Sequence, residues 1–167
     1  RVNTQFQPDL ALCLHVNAEG WGNPKKPTFA TKNHLHMLIN GCYAPSEIGL
    51  DDQRFEMVRR ILQQTHAHEL DLTRSVADSM ATATGLPPYI YTGRNAKRVS
   101  DNKYVWSRNL LATRVYECPV VFFEPYVMNH QLTHDRVQAG EYEGTKEIHG
   151  KERVNIFQEY ADGATEG

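Results

Sequence analysis

The sequence has few cysteines, no long hydrophobic run and no excess of basic residues. Three cysteines in 167 residues are too few, and too widely spaced, for a disulfide framework or a CxxC zinc motif. The longest apolar run covers residues 10–16, far fewer than the ~20 residues that a membrane helix requires. Lys and Arg number 18 and Asp and Glu number 20, so the net charge of −2 argues against a broad surface for nucleic acid or anionic lipid.

Two further features are missing from the chain. It has no Gly-x-Ser-x-Gly motif of the serine hydrolases, and Cys42 has no partner histidine that the sequence can identify as a base. It begins at Arg1 without an initiator Met and without a charged-then-apolar leader. We therefore interpret the chain as the interior of a longer protein.

Apolar strand-like runs alternate with segments of helical periodicity, a pattern typical of an α/β domain. A chain of this length is predicted to form one compact domain, residues 1–167. The predicted strands cover residues 10–16, 34–40 and 119–123, with a short strand at 89–91. The run 10–16 is apolar on both faces, as in a strand buried within a parallel sheet. Residues 93–107 are charged and irregular, which predicts a surface loop.

Three helices are predicted. The first begins at Asp51, where Asp51 and Asp52 are suited to cap the helix and to complement its dipole. The second covers residues 72–84 and ends at Gly85, and the third covers residues 152–164. The 3.6-residue spacing predicts one buried face on the first helix, made of Phe55, Val58, Ile61, Leu62 and Thr65. Residues 109–116 fit either a helix or a strand.

Two polar residues follow predicted strands at matching positions. His15 comes at the end of the first strand and Glu124 directly after the last. Ligands bind outside the carboxyl ends of the strands in open α/β sheets, so both side chains are predicted to face one crevice. A carboxylate that follows four apolar residues is costly to bury unless it is paired or protonated. A strand-end salt bridge or helix cap is the alternative role for Glu124.

Three segments together resemble one known family. Residues 8–18, PDLALCLHVNA, are similar to a strand of the pattern Asp-hydrophobic-Ser-Ile-His-Ala-Asn-Ala. Residues 118–129, CPVVFFEPYVMN, are similar to a strand and loop of the pattern Pro-hydrophobic-Leu-Val-Glu-x-Gly-Phe-Leu-Ser-Asn. Residues 72–77, LTRSVA, resemble a helix start of the pattern Ser-x-x-Leu-Ala. The family with these motifs, in this order, is that of the zinc-dependent N-acetylmuramoyl-L-alanine amidases.

The resemblance implies a twisted, mostly parallel sheet flanked by helices, of the phosphorylase/hydrolase-like kind. It implies an enzyme that hydrolyses the amide between N-acetylmuramic acid and L-alanine in peptidoglycan, in the periplasm or outside the cell. It implies that His15 is a zinc ligand and Glu124 the catalytic carboxylate. It places the other two zinc ligands upstream of Arg1, so the chain is expected to be the C-terminal part of the catalytic domain. The family's Gly-Phe after the glutamate is Pro125-Tyr126 here.

The histidine pairs allow two interpretations. His34 and His36 share a face of a predicted strand, and with His15 they could supply the three nitrogens of a catalytic zinc. The same spacing describes the exposed face of an edge strand, which we favour because the sequence names no residues to support a metal site. His66 and His68 do not share a helix face and are predicted to be solvent-exposed.

Other functions also remain open. One is a different zinc amidohydrolase or a carboxypeptidase-like hydrolase, because the fold is shared more widely than the specificity. Another is a non-catalytic cell-wall-binding or regulatory module that lacks a complete metal site. Aromatic residues in loops could line a sugar or peptide groove, although packing is their commoner role: Trp21, Tyr89, Tyr91, Tyr104, Trp106 and Tyr126.

Overall fold

The structure, a computed structural model, describes residues 1–167 and has seven strands and six α-helices. The strands are β1 (Ala11–Leu14), β2 (Leu35–Ile39), β3 (Lys97–Arg98), β4 (Val105–Ser107), β5 (Val120–Pro125), β6 (Lys146–Ile148) and β7 (Lys151–Arg153). The helices are α1 (Pro45–Ile48), α2 (Asp51–Gln63), α3 (Thr65–Thr84), α4 (Leu111–Val115), α5 (Gln131–Gln138) and α6 (Ile156–Thr165), and a π-helical turn covers Val2–Phe6.

Five strands form one mixed sheet in the order β1-β5-β2-β4-β3, and β6 pairs with β7 in a separate hairpin. β1 runs parallel to β5, and β2 runs parallel to β4. β2 is antiparallel to β5, and β3 is antiparallel to β4. The α/β class predicted from the sequence is confirmed. The antiparallel pairing of β2 with β5 brings the amino end of β2 to the carboxyl end of β5.

The main hydrophobic core lies between one face of the sheet and α3. Buried residues of β2 and β5 contact Val76, Ala77 and Met80 of α3 there. α6 packs against α3 on the same side, and Gly163 allows the close approach, because a Cβ at this position would lie 2.5 Å from Sδ of Met80. The opposite face carries a smaller cluster made of Leu38, Ala96 and Trp106.

β1 is parallel to its neighbour as predicted, but the prediction that it is buried on both faces is wrong. Leu12 is 49% exposed and Leu14 is 64% exposed. The reason is its position, because β1 is the edge strand and β5 is its sole partner. An apolar run shows that a strand can be buried, and it does not show how many neighbours the strand has.

The first predicted helix is confirmed as α2, but its predicted buried face is wrong. Four apolar residues of that face are exposed: Phe55, Val58, Ile61 and Leu62. The buried residue of α2 is Arg60, and it donates to the main-chain carbonyls of Thr113, Tyr116 and Cys118 at 2.7–2.9 Å. These carbonyls lack strand partners, and a guanidinium satisfies them where an apolar side chain cannot. Asp51 and Asp52 lie in the first turn, while Leu50 occupies the cap position.

Other predicted boundaries shift in the structure. α3 begins at Thr65, after Gln64 adopts a left-handed φ of 54°, and it ends at Gly85 as predicted. The predicted strand at 89–91 is absent, and the isolated bridge next to it pairs Pro88 with Leu35. The predicted loop at 93–107 contains β3 and β4, and Val105 is fully buried. The ambiguous segment 109–116 contains α4, and the C-terminal helix begins at Ile156 after β7.

Candidate functional site

His15 and Glu124 lie side by side at the carboxyl ends of β1 and β5. β1 and β5 are adjacent parallel strands with Leu14 opposite Phe123, so the next residue of each strand faces the other. Nδ1 of His15 is 3.6 Å from Oε1 of Glu124. The predicted proximity of these two side chains is therefore confirmed. The contact depends on a parallel pair, because only parallel neighbours bring two carboxyl ends together.

The His15 side chain packs against the protein on one side and is exposed to solvent on the other. The ring packs against Phe122, with centroids 5.2 Å apart, and the main-chain oxygen of His15 accepts a hydrogen bond of 3.0 Å from the hydroxyl of Tyr160. The side chain nevertheless remains 53% exposed. An imidazole in this position can bind a ligand or a metal ion without a rearrangement of the core.

His36 holds the other side of the Glu124 carboxylate. It lies opposite Glu124 in the antiparallel β2/β5 pair, and its Nε2 contacts Oε2 of Glu124. The hydroxyl oxygen of Tyr91 lies 3.0 Å from the same nitrogen. The His36 side chain is 1% exposed and the Glu124 side chain 12% exposed, so this contact is shielded from water. A shielded contact of this kind is stronger than the same contact on a surface.

His34 lies beside His36 on the same face of β2, and the ring centroids are 5.8 Å apart. Its Nε2 donates to Oε1 of Glu19 at 3.1 Å, and its ring packs on Tyr89 with centroids 4.4 Å apart. Burial lowers the pKa of His34, and the hydrogen bond to Glu19 opposes that shift in part. His34 is therefore a neutral, buried donor near pH 7.

The interpretation of His34 and His36 as the exposed face of an edge strand is wrong. β2 lies between β5 and β4, and all five of its residues are buried. His34 is 3% exposed and His36 is 0% exposed. The strand is central because two other strands that are distant in sequence pair with it, which local periodicity does not reveal. His66 and His68 are exposed on α3, as predicted.

Aromatic residues pack around the buried histidines. Tyr91 meets Tyr89 edge to face, with centroids 4.7 Å apart, and its ring also contacts Trp106. Burial, together with the nearby Glu124 carboxylate, raises the pKa of Tyr91 to about 12. Tyr91 therefore keeps its proton at neutral pH. Trp21 lies in a different environment, being 48% exposed.

The loop after Glu124 is held by a buried polar network. Tyr126 has a left-handed φ of 61° and is 2% exposed, and its hydroxyl donates to Oε1 of Glu159 at 2.7 Å. Arg136 binds both oxygens of the same carboxylate, at 2.7 and 2.9 Å. The Val127 N–H donates to the side-chain oxygen of Asn33 at 2.8 Å. These contacts fix the backbone just after the carboxylate, where the sequence departs from the amidase pattern.

The site residues fit one ligand of a catalytic zinc and not a full set. His15 offers a half-exposed imidazole beside a carboxylate, which is a suitable ligand with a base next to it. His34 and His36 use their Nε2 atoms on Glu19 and Glu124. No group of three His, Cys, Asp or Glu side chains in the chain is arranged to hold a metal ion. A catalytic zinc takes three protein ligands, and His15 is the one that the resemblance assigns to this chain.

Sequence reasoning missed the contact between His36 and Glu124, as well as the roles of Glu19 and Tyr91. The signal for His36 was the alternation of two histidines at the start of an apolar run, next to an acidic residue at the end of another. Strand order was the information that the sequence lacked.

The chain matches no protein-family model, no curated protein sequence and no solved structure. No helix is both long enough and apolar enough to cross a membrane.

Proposed function

We propose that this chain carries part of the active site of a zinc-dependent amidase that hydrolyses the bond between N-acetylmuramic acid and L-alanine in peptidoglycan. The observation that supports the proposal is the 3.6 Å approach of His15 to Glu124 at the carboxyl ends of two parallel strands. The proposal includes a periplasmic or extracellular location, where peptidoglycan is found. In this proposal, the twisted sheet and its helices form an amidase-type catalytic domain.

Glu124 is the general base and then the general acid in this proposal. It is 9% exposed, so it has limited contact with water, and its Oε1 lies next to the half-exposed His15. Oε1 accepts a proton from the water that attacks the amide carbon and returns it to the leaving nitrogen of L-alanine. Proton transfer by a positioned side chain typically contributes 10²–10⁴-fold to a rate.

His15 is the residue of this chain that would bind zinc. When bound, zinc polarises the amide carbonyl and lowers the pKa of a bound water. The remaining ligands lie upstream of Arg1 in this proposal, as the resemblance to the amidases implies. The half-exposed His15 ring leaves space for ligands that arrive from another segment.

The proposal is tested with purified peptidoglycan and protein expressed from the complete gene. Cleavage of the proposed bond releases peptides with a new α-amino group on L-alanine, which dinitrophenylation and mass spectrometry identify. We expect release by the wild type, loss after treatment with a zinc chelator, and recovery on addition of zinc. Free muramic acid ends without new L-alanine amines, or no cleavage at all, would contradict the proposal.

Two variants connect the activity to the site. Glu124→Gln keeps the shape of the side chain and removes the base, so we expect hydrolysis to fall by roughly 10²-fold or more. Glu143→Gln removes an exposed carboxylate from the segment before β6 and serves as the matched control. Equal activity in the two variants would remove Glu124 from the mechanism. Binding of peptidoglycan without any hydrolysis would favour a non-catalytic module instead.

A further inference from the structure

The two oxygens of the Glu124 carboxylate have different surroundings. Oε2 contacts Nε2 of His36, whose side chain is 1% exposed. Oε1 lies 3.6 Å from Nδ1 of His15, whose side chain is 53% exposed. One oxygen thus contacts a buried histidine, while the other lies next to a half-exposed one. A carboxylate held at one oxygen presents the other in a fixed direction.

The tautomer of His36 follows from these contacts. An ionised carboxylate only accepts hydrogen bonds, so the contact between Oε2 and Nε2 requires the proton on Nε2. Nδ1 of His36 is buried and has no hydrogen-bond partner, so no contact favours a proton there. The hydroxyl oxygen of Tyr91 also lies within hydrogen-bond distance of Nε2, at 3.0 Å. His36 is therefore a donor toward Glu124.

The His36 ring is confined on every side that the structure describes. β2 is a central strand, and His36 is 0% exposed. Tyr89 lies against the ring with centroids 4.9 Å apart, and Tyr91 meets it edge-on at 5.3 Å. The Tyr91 hydroxyl is contacted in turn by Nη1 of Arg108 at 3.4 Å. A side chain locked by packing can hold a reacting group within the narrow limits that catalysis requires.

We infer that His36 is the positioning residue of Glu124, an inference that rests on the proposed amidase activity: its Nε2–H binds Oε2 and leaves Oε1 free to exchange protons with water and the leaving amine. His36 keeps its own proton throughout, so the proton transferred in the reaction moves only through Oε1. His36 differs from His15, the proposed zinc ligand, because Nε2 of His36 already contacts Glu124 and its ring is fully buried.

Kinetics and zinc content test this role with three variants of protein expressed from the complete gene. His36→Leu removes the donor at similar volume, His36→Gln keeps an N–H donor, and His68→Leu changes an exposed histidine of α3 as the control. We expect kcat to fall roughly 10- to 100-fold in His36→Leu, with KM within about threefold. His36→Gln should recover a large part of kcat. All three variants should retain the zinc of the wild type.

A spectroscopic measurement decides the contact without any activity assay. In protein labelled with ¹⁵N-histidine, the His36 ring should show the Nε2–H tautomer, identified by the loss of its signals in His36→Gln. Its Nε2 shift should change in Glu124→Gln and remain unchanged in Glu143→Gln. This measurement also stands if His36→Leu fails to fold.

The outcomes separate the inference from the function on which it rests. An Nδ1–H tautomer, or a His36 shift that ignores Glu124→Gln, overturns the positioning role even if the wild type is an active amidase. Loss of zinc in His36→Leu overturns it as well, because His36 would then be a ligand. A coupled His36 shift in a protein that cleaves no peptidoglycan supports the orientation of Glu124 and overturns the proposed function.

Discussion

Nδ1 of His15 and Oε1 of Glu124 lie 3.6 Å apart, although His15 is near the start of the chain and Glu124 is in its last third. The contact exists because β1 and β5 are adjacent and parallel. In the proposed hydrolysis, Glu124 would act as the base beside a histidine that binds the metal ion. The first prediction concerns the histidine of this pair.

His15→Asn should abolish zinc binding and reduce hydrolysis by roughly 10²-fold or more, because the loss of a ligand exceeds the 10- to 100-fold cost of losing a residue that supports one. The fold should persist, since the ring is 53% exposed. Zinc per chain is measured by elemental analysis and stability by thermal unfolding. His66→Asn, at an exposed position of α3, is the control. A His15→Asn protein with full zinc would contradict the ligand role.

The second prediction concerns residues 1–167 expressed alone. This form contains one proposed zinc ligand, and a catalytic zinc takes three. We expect it to bind zinc weakly or not at all, while protein from the complete gene binds one ion per chain. Competition with a coloured zinc chelator measures both affinities. One tight zinc in the short form would instead indicate a site built from His15, His34 and His36 after a rearrangement.

The third prediction concerns the buried ion pair of Arg60 and Glu69, which are 4% and 1% exposed and lie 3.2 Å apart. Arg60→Met leaves the Glu69 charge buried and unpaired, so we expect a loss of about 3–5 kcal/mol of unfolding free energy. Arg54→Met breaks the exposed pair with Asp51 and should cost less than about 1 kcal/mol. Denaturant unfolding compares the two. Similar losses would show that burial does not distinguish these pairs.

The fourth prediction concerns the apolar face of α2. Ile61 is 66% exposed, so Ile61→Lys should change the unfolding free energy by no more than about 0.5 kcal/mol. Met80 is fully buried, and Met80→Ala should cost about 2–5 kcal/mol. Urea unfolding of both variants tests the contrast. A loss of several kcal/mol in Ile61→Lys would mean that this face is covered in solution.

The fifth prediction concerns pH and His34. Burial lowers the pKa of His34 in the folded state, so the unfolded chain binds a proton before the folded chain does. The neutral form of His34 therefore contributes full stability above the unfolded pKa of ~6.5, and this contribution decreases as pH falls below that value.

The test compares the wild type with His34→Gln, which can still donate to Glu19. Unfolding free energies are measured at about pH 7.5 and about pH 5.5, on either side of the unfolded pKa. We expect the wild type to lose more stability than the variant over this interval. The difference between the two proteins isolates His34 from the other histidines. Parallel losses would show that His34 titrates alike in both states.

Local sequence patterns predict where helices and strands form, but they do not predict which elements pack against one another. The β-branched and aromatic run of β5 and the start of α2 at Asp51 were predictable, because each depends on neighbouring residues. The exposure of Phe55 on α2 was not, because a helical period identifies an apolar face without showing what covers it. β4 was missed because its three residues follow a charged segment and become buried only by pairing with β2.

The residues of the site also differ in whether local sequence patterns predict their contacts. His15 and Glu124 were predictable because each ends an apolar run, and the carboxyl ends of parallel strands lie at one edge of the sheet. His36 was noticed as a histidine but not as the partner of Glu124. Its contact arises from the antiparallel β2/β5 register, which pairs residues that are distant in sequence. Strand order of this kind is a property of the whole sheet, and no local spacing encodes it.

Because β1 is an edge strand, His15 at the end of β1 and Glu124 in β5 should differ in local stability. β5 has a partner on each side, whereas β1 is held by β5 alone and leaves Leu12 and Leu14 half uncovered. Amides of β1 should therefore exchange with solvent through small local openings, while those of β5 exchange only when most of the sheet unfolds. Each opening of β1 carries His15 away from a Glu124 that stays in place. The contact between His15 and Glu124 would then break and re-form many times within the lifetime of one folded molecule.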